Sequence, residues 1–135
     1  MSETAYAEYE NSPFKNDIIF AGRVSDSELV HMYNMAELFV YPSIFEGFGL
    51  PLIEALQCGL PAIASKTSSI PEIVDAKKCL FNPADEKEIA EKINLVLNNE
   101  ELKKELCQKA LKNAAKFNWR LTAEKTIDAY KKSLQ

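Results

Sequence analysis

The sequence predicts an α/β protein, a Rossmann-like parallel sheet of about four strands with helices on both of its faces. Short runs that are apolar throughout alternate with segments of helical periodicity, which is typical of parallel strands buried on both sides. The chain has 135 residues, of which 47% are hydrophobic and 27% charged, the composition of one globular domain. In such sheets ligands bind beyond the carboxyl ends of the strands, so the loops that follow the strands are the places to search.

Four apolar runs rich in β-branched and aromatic residues are the predicted strands. Residues 1–16 are a polar segment in which Pro13 breaks any helix, and residues 17–135 form the predicted domain. The strands are residues 17–21 (DIIFA), 38–41 (LFVY), 61–64 (PAIA) and 79–81 (CLF).

Capping residues and apolar spacing predict helices between and after these strands. The first covers about 27–36 with Asp26 as its N-cap, and the second runs from Pro51 to just before Gly59. The others are a short helix from Ser69 to Val74, one opened by a capping box of Asp85 and Glu88, one capped by Asn99, and a last one over about 119–133.

The loop between the second strand and the next helix carries the chemistry. Glu46, Gly47 and Gly49 lie in this loop, and glycines there let the backbone approach a ligand closely. The helix that follows offers unpaired N–H groups and the positive end of its dipole, which indicates an anion site suited to a diphosphate. Glu54 lies about one turn inside that helix, eight positions after Glu46, on the side that can face the same cleft, so we expect the two carboxylates to bracket one bound ligand. Two carboxylates so placed accept hydrogen bonds from the vicinal hydroxyls of a ribose or a hexose.

The segment 46–65, E-G-F-G-L-P-x-x-E-A-L-x-x-G-x-P-x-x-x-S, resembles the signature of family 4 (group 1) glycosyltransferases of the GT-B fold. Glu46 and Glu54 match the two glutamates of that family's E-x(7)-E motif. The similarity continues over residues 19–29, 36–43 and 80–83, so it covers most of residues 17–130. The sequence departs from the family pattern at Glu37, where Asp is common, and at Lys78–Cys79, where Gly is usual.

The resemblance implies a partial nucleotide-sugar-binding domain that retains the anomeric configuration and needs no metal. Its donor is a UDP-, GDP- or ADP-sugar, and its acceptor is a saccharide or a lipid. Glu46 is implied as the catalytic residue, in contact with the hydroxyls of the transferred sugar and near the charge that develops at the anomeric carbon. Backbone N–H groups of Gly47, Phe48 and Gly49 are implied to contact the sugar and the diphosphate.

The resemblance also implies contacts to the nucleoside. Leu50 packs against it, Glu54 binds the ribose hydroxyls, and the stretch Arg23, Val24 and Ser25 lies beside the base. Ser43 completes the implied donor-binding set. Plain structural roles stay open for several of these residues: turn glycines at Gly47 and Gly49, a core position at Leu50, a solvated charge at Arg23, and a loop hydrogen bond at Ser43.

Two parts of the family pattern have no counterpart in the sequence. One is the acceptor-binding domain, and the other is a G-R-x-x-x-x-K-G element whose Arg and Lys neutralise the diphosphate. Because the missing strands belong in the middle of a doubly wound sheet, we expect open strand edges and therefore a homo-oligomer, a complementary chain or a rearranged strand order. The alternative function is a non-catalytic subunit or truncated fragment that does not catalyse alone. A glycoside hydrolase with two acidic residues and a phosphorylase-like enzyme are weaker alternatives.

Composition excludes other classes. The net charge of −4 and pI near 5.1 argue against nucleic-acid binding. His31 is the only histidine and the three cysteines are widely spaced, so we expect no metal site and free thiols. No apolar run is long enough to span a bilayer, and we expect a cytoplasmic protein, with contact at the inner face of the membrane through lysine-rich helix faces as a minor alternative. Phe117 and Trp119 are expected to anchor the last helices to the core.

Overall fold

The computed structural model describes residues 3–74 and 77–134, which form an α/β fold with a three-stranded sheet. Two single 3₁₀ turns, Lys15–Asp17 and Lys77–Cys79, lie between the main elements. The strands are β1 (Phe39–Tyr41), β2 (Ala62–Ser65) and β3 (Leu80–Phe81), and the helices are α1 (Glu3–Asn11), α2 (Asp26–Met35), α3 (Leu50–Gln57), α4 (Ile70–Ile73), α5 (Glu86–Leu97), α6 (Glu100–Ala114) and α7 (Trp119–Ser133).

The sheet is parallel, in the order β1-β2-β3, as the sequence predicts. In its register Val40 is opposite Ile63, and Ala64 is opposite Leu80. All four residues of β2 are buried, whereas β1 is only half-buried, because β2 is central and β1 pairs on one side among the described residues. Helix α3 connects β1 to β2 and packs on both of them and on α6.

The prediction of a strand at residues 17–21 is wrong, and the sheet has three strands rather than about four. Asp17 closes a 3₁₀ turn, and the residues after it have no strand pairing. Ile19 is 88% exposed and Phe20 is 57% exposed, so this apolar run lies on the surface. Its composition is that of a strand, but a strand needs a neighbour to satisfy its backbone, and no described strand lies beside it. Phe20 packs instead edge-on against Tyr9 of α1, with ring centroids 4.9 Å apart.

The six predicted helices are confirmed to within a residue or two at their ends, with two corrections at the caps. Helix α1 is not among them, and it lies in the polar segment before Pro13. Helix α2 is capped by Ser25 rather than Asp26, and Ser25 and Glu28 form a full capping box. At α5, Asp85 does accept a hydrogen bond from the N–H of Glu88, at 3.0 Å. The Glu88 carboxylate does not close the box, because it accepts the N–H of Asn82 at 2.8 Å.

One continuous core joins the sheet to helices α3 to α6. Its fully buried side chains include Leu52, Ile63, Ile70 and Phe81. Phe117 is half-buried against this core and confirms its expected anchoring role. Trp119 does not, because 78% of its surface is exposed and helix α7 buries none of its residues.

Replacement of Ile63 by Ala should lower the free energy of unfolding by about 2–5 kcal/mol, because it leaves a cavity in the central strand. Urea unfolding followed by circular dichroism measures this loss. Ile127→Ala is the matched control, since the same side chain is 52% exposed on α7 and its truncation should cost less than about 0.5 kcal/mol. Equal losses in the two variants would contradict the assignment of the core.

Candidate functional site

The loop from Pro42 to Gly49 leaves the carboxyl end of β1 and is held by hydroxyl groups from the loop after β2. Ser65, the last residue of β2, and three side chains of that second loop each donate a hydrogen bond to a backbone carbonyl at the end of β1 or in the first loop. Ser65 donates to Tyr41 at 3.2 Å, Thr67 to Ser43 at 3.2 Å, and Ser68 to Glu46. Ser69 shares its one hydroxyl hydrogen between the carbonyls of Glu46, at 3.2 Å, and Phe48, at 3.0 Å. We call this set of contacts the hydroxyl clamp.

Ser68 occupies a strained backbone conformation within the hydroxyl clamp. Its φ of 56° lies in the left-handed region, and it is the one residue other than glycine with a positive φ among the described residues. Such a conformation costs a serine of order 1–3 kcal/mol and persists where surrounding contacts impose it. Sequence reasoning missed the clamp, although the run S-K-T-S-S directly after a buried strand is a visible signal for it.

Glu46 is fixed by two hydroxyl donors. The phenol of Tyr41 donates to Glu46 Oε1 at 2.6 Å, and Ser43 Oγ donates to the same oxygen at 3.0 Å. The bond from Tyr41, followed by the bond from Ser43, holds the pKa of the Glu46 carboxyl below its usual range. Glu46 is therefore a carboxylate at neutral pH, suited to stabilise positive charge rather than to donate a proton.

Tyr41 contacts the candidate catalytic residue, and the sequence did not single it out. Burial, reinforced by the hydrogen bond to Glu46, raises the pKa of Tyr41 to about 12. The phenol thus stays protonated and keeps its role as a donor throughout the physiological range. As the last residue of β1, it appears in the sequence only as one more aromatic residue in a predicted strand.

The two loop glycines have different roles. Gly49 adopts φ +100° as the N-cap of α3, and a Cβ placed there would lie 3.3 Å from Ile73 Cδ1. Gly47 has no such backbone requirement, and a Cβ there would meet nothing within 4 Å. None of the amides from Gly47 to Leu50 donates a hydrogen bond to another described residue. The loop therefore presents unpaired N–H groups next to the unobstructed space at Gly47.

Glu54 lies on the exposed face of α3, near a second tyrosine. The Tyr33 phenol approaches Glu54 Oε2 at 3.5 Å, and burial, followed by the charge of Glu54, raises the pKa of Tyr33. The ring of Phe39 packs on Tyr33 at 5.6 Å and on Tyr41 at 5.7 Å. A row of three aromatic rings thus connects the tyrosine beside Glu54 to the tyrosine that holds Glu46.

Two clefts open beside Glu54. Both are lined by Glu54 and Gln57, which form the wall between them, and neither is lined by Glu46. The expectation that Glu46 and Glu54 face the same cleft is therefore not met in these two clefts. The Tyr33 cleft, about 320 Å³, is also lined by Asp26, Leu29, Val30, Tyr33 and Cys58. The Trp119 cleft, about 210 Å³, is also lined by Leu50, Ile53, Phe117, Asn118, Trp119 and Thr122.

The other predicted donor-binding residues lie before α2, in the loop after β1 and at the start of α3. Ser25 uses its hydroxyl to cap α2, Arg23 is exposed, and Val24 is half-buried. The ring of Phe48 packs edge-on against Phe117 at 5.5 Å. Leu50 is 48% exposed, so the alternative that it is a core residue is wrong.

No group of three or more potential metal ligands occurs among residues 3–74 and 77–134. His31 is exposed, and its Nδ1 lies 2.7 Å from the carbonyl of Ser27 in its own helix. Within the same ranges, no helix has the length and apolar character needed to cross a bilayer.

The sequence model described as "Glycosyl transferases group 1" matches residues 2–117. The chain belongs to this family. It is 39% identical over 121 residues to "Serotype-specific mannosyltransferase WbdA" of Escherichia coli, a match that covers 90% of this chain and 15% of that protein. It is 37% identical over 114 residues to "O-antigen chain mannosyltransferase B" of Escherichia coli, covering 84% of this chain and 30% of that protein. The chain thus spans less than a third of these two relatives.

Solved structures agree with the family assignment. Sucrose-phosphate synthase from Thermosynechococcus elongatus superposes with a TM-score of 0.82 and 27% identity, over 98% of this chain and 33% of that one. The catalytic domain of the cholesterol-α-glucosyltransferase from Helicobacter pylori superposes with a TM-score of 0.67 over 72% of this chain and 62% of that one. At 21% identity, the second comparison supports the fold alone. Group 1 glycosyltransferase membership and a GT-B-type domain, both expected from the E-x(7)-E segment, are confirmed.

The Tyr41–Glu46 contact of this glycosyltransferase chain predicts a pH dependence of stability. Unfolded Tyr41 ionises near pH 10, whereas the folded phenol stays protonated up to about 12. Its contribution to stability is therefore present below pH 10 and is lost as the pH rises towards 12. Urea unfolding at pH 9, 10 and 11 should show a smaller decline with pH in Tyr41→Phe than in the unmodified chain. Identical declines would count against the raised pKa.

The two loop glycines predict opposite outcomes for the same substitution. Gly49→Ala should lower the free energy of unfolding by about 1–3 kcal/mol, because alanine is strained at φ +100° and its Cβ crowds Ile73. Gly47→Ala should change it by less than about 0.5 kcal/mol. Thermal or urea unfolding of both variants decides this, and a destabilised Gly47→Ala would show that the loop is wrongly placed.

Proposed function

We propose that this chain binds the nucleotide-diphospho-sugar donor of a retaining group 1 glycosyltransferase. The observation that carries the proposal is the geometry at the carboxyl end of β1. There an ionised carboxylate, Glu46, is held by Tyr41 and Ser43 beside the unpaired amides that open helix α3. The first group suits the electron-poor anomeric carbon of the sugar, and the second suits the negative charge of the diphosphate.

The leaving diphosphate meets backbone groups in this proposal. The amides of Gly47 to Leu50 donate to its oxygens, and the dipole of α3 adds positive potential. This set of neutral donors needs no divalent cation to hold the phosphates. Gly47 leaves space at the surface of the loop for the donor to approach the backbone.

The carboxylate of Glu46 stabilises the positive charge that develops as the bond to the diphosphate breaks. Its two hydroxyl donors keep it ionised and oriented before the donor arrives, so little reorganisation is needed during the reaction. The hydroxyl clamp fixes the loop that carries it. This preorganisation, rather than proton transfer, is the contribution of Glu46.

The nucleoside lies against α3 in this proposal, with the ribose hydroxyls on Glu54. The Tyr33 cleft then receives the base, because Asp26, one of its lining residues, directly follows the stretch Arg23 to Ser25 in the sequence. We place mannose first among the sugars to test, since the two Escherichia coli relatives are named as mannosyltransferases. We place the reaction in the cytoplasm, where nucleotide sugars are made.

The glycoside hydrolase alternative is disfavoured. A retaining hydrolase needs its two carboxyl groups about 5–5.5 Å apart across one scissile bond. Glu46 and Glu54 contact different tyrosines and line no common cleft among those described above. The arrangement supports two contacts along an extended ligand better than an acid and base acting on one bond.

Saturation-transfer NMR with UDP-glucose, ADP-glucose and GDP-mannose tests the proposal. At least one of these donors should give ribose and base signals that are lost in Glu54→Ala and retained in Glu46→Ala. In Glu46→Ala, the signals of the hexose ring should weaken instead, because its proposed contact is to the sugar. Loss of both sets in Gly47→Ala, with unchanged stability, would support close approach to the backbone.

Glu91→Ala is the control for this experiment, since Glu91 is an exposed acid on α5, outside both clefts. Its spectra should match those of the unmodified chain. Equal donor signals in Glu54→Ala, Glu46→Ala and Glu91→Ala would refute the proposed site, and the absence of signals from every donor would refute donor binding by the isolated chain.

A second candidate function is a donor-binding part that catalyses only together with another polypeptide segment. The outer edge of β1, which pairs with no strand in residues 3–74 and 77–134, and the exposed apolar run from Ile18 to Phe20 favour it, since both offer surface for further strands. Light scattering after size exclusion measures the oligomeric state, and transfer assays with and without the remaining domain of a relative measure complementation. A monomer that transfers sugar alone would exclude this candidate.

A further inference from the structure

We infer that the Trp119 cleft is a binding site for a neutral saccharide that carries no nucleotide. This inference goes beyond the proposed function, which concerns the donor and places its base in the Tyr33 cleft. Leu50 and Glu54, which are implied to contact the nucleoside, also line the Trp119 cleft, so the response to nucleotides has to distinguish the two sites. The Trp119 cleft lies on the other side of the wall formed by Glu54 and Gln57. The argument rests on its aromatic surface, its polar groups, its charge and its size.

The aromatic surface is exposed yet held in place. Trp119 is 78% exposed, although tryptophan is on average one of the more buried residue types. Phe117, two positions earlier, packs against the core, and Asn118 caps α7 by accepting the N–H of Leu121 at 2.8 Å. The backbone on which the indole stands is therefore anchored. An anchored, exposed indole offers a flat face to the C–H groups of a pyranose ring, which are attracted to the negative face of the aromatic ring.

Polar groups line the cleft beside the indole. Glu54 and Gln57 are three positions apart on α3, so they lie on one helix face. The carboxylate accepts hydrogen bonds, and the amide both donates and accepts them. Thr122 adds a hydroxyl from α7. A sugar ring, with hydroxyls at its rim and C–H groups on its faces, matches this combination of polar groups and an aromatic face.

Charge and size distinguish a neutral saccharide from a nucleotide. Among the described residues that line the Trp119 cleft, Glu54 is charged and no Lys or Arg is present. A phosphate group would therefore face a carboxylate without a cation to compensate it. The volume of about 210 Å³ is below the roughly 300–1,000 Å³ of clefts for drug-sized ligands, and so it suits one sugar ring better than a nucleotide.

Trp119 itself reports on this site, because it is the only tryptophan in the chain. With excitation at 295 nm, titration with α-linked mannotriose or maltotriose should change the emission saturably and protect the indole from iodide quenching. UMP, GMP and inorganic phosphate at the same concentrations should leave both unchanged. The weakened hexose signals expected for the donor in Glu46→Ala should have no counterpart in the saccharide titration, because Glu46 does not line the Trp119 cleft, and this separates the inference from the proposed function.

Variants test the contacts. Gln57→Ala should weaken saccharide binding roughly twofold to tenfold, the equivalent of one lost hydrogen bond. Ile127→Ala, an exposed change on α7 outside the cleft, should leave it unchanged. Saturation-transfer NMR replaces fluorescence for Trp119→Ala, which should lose the sugar signals while circular dichroism stays that of the folded chain.

Three results would overturn the inference. The first is an emission spectrum that no saccharide changes. The second is an equal response to saccharides and nucleotides, which would assign the cleft to the donor. The third is an indole that iodide cannot quench in the free chain, which would show that Trp119 is covered. If Trp119→Ala fails to fold, the comparison of Gln57→Ala with Ile127→Ala still decides the question.

Discussion

The hydroxyl clamp between the loops after β1 and β2 is the interaction on which the candidate site depends. Parallel strands deliver two consecutive loops to the same edge of the sheet, but adjacency alone does not fix them. Four Ser and Thr hydroxyls do so, by donating to carbonyls along the first loop. In a trans peptide the N–H points away from the C=O. With the carbonyls of Glu46 and Phe48 directed at the clamp, the amides of Gly47 and Gly49 point away from it and stay available for a ligand. The strain at Ser68 is consistent with contacts that dictate the backbone there.

Two hydroxyl donors outside the clamp, Tyr41 and Ser43, hold the acidic residue of the loop. Glu46 receives one bond from the last residue of β1 and one from the loop itself, so its position is referred directly to the sheet. The neutral state of Tyr41 and the ionised state of Glu46 support each other, since the donor must keep its proton for the acceptor to keep its charge. A preformed arrangement of this kind is the usual source of electrostatic stabilisation in enzymes.

Local signals made much of the fold predictable from the sequence. Asn99 and Asp85 cap their helices as expected, and Gly59 follows α3 with φ +75°. The three strands β1, β2 and β3 lie where the apolar runs predict them. The strand prediction for residues 17–21 was wrong because composition indicates the backbone conformation that a segment prefers, whereas strand pairing depends on a neighbour elsewhere in the chain. The prediction that Trp119 packs on the core was wrong for the same reason, since its size predicts burial but no described residue covers it.

The site was predictable to a similar degree. The E-x(7)-E spacing located both acids, yet it could not reveal that each lies next to its own tyrosine, because Tyr33 and Tyr41 belong to other elements. The hydroxyl clamp escaped notice because its donors and acceptors are more than twenty residues apart in sequence. Contacts of that range depend on the register of β1 against β2, which no local pattern encodes.

The wall that Glu54 and Gln57 form between the two clefts has a thermodynamic consequence. A side chain that lines two clefts adopts one rotamer at a time. A ligand that selects one rotamer from the first cleft therefore alters the affinity of the second cleft for its own ligand. Such coupling is reciprocal, because each ligand changes the affinity for the other by the same factor. Ligands bound in the two clefts would therefore be coupled through the side-chain rotamer of Glu54, positively or negatively according to whether both select the same rotamer.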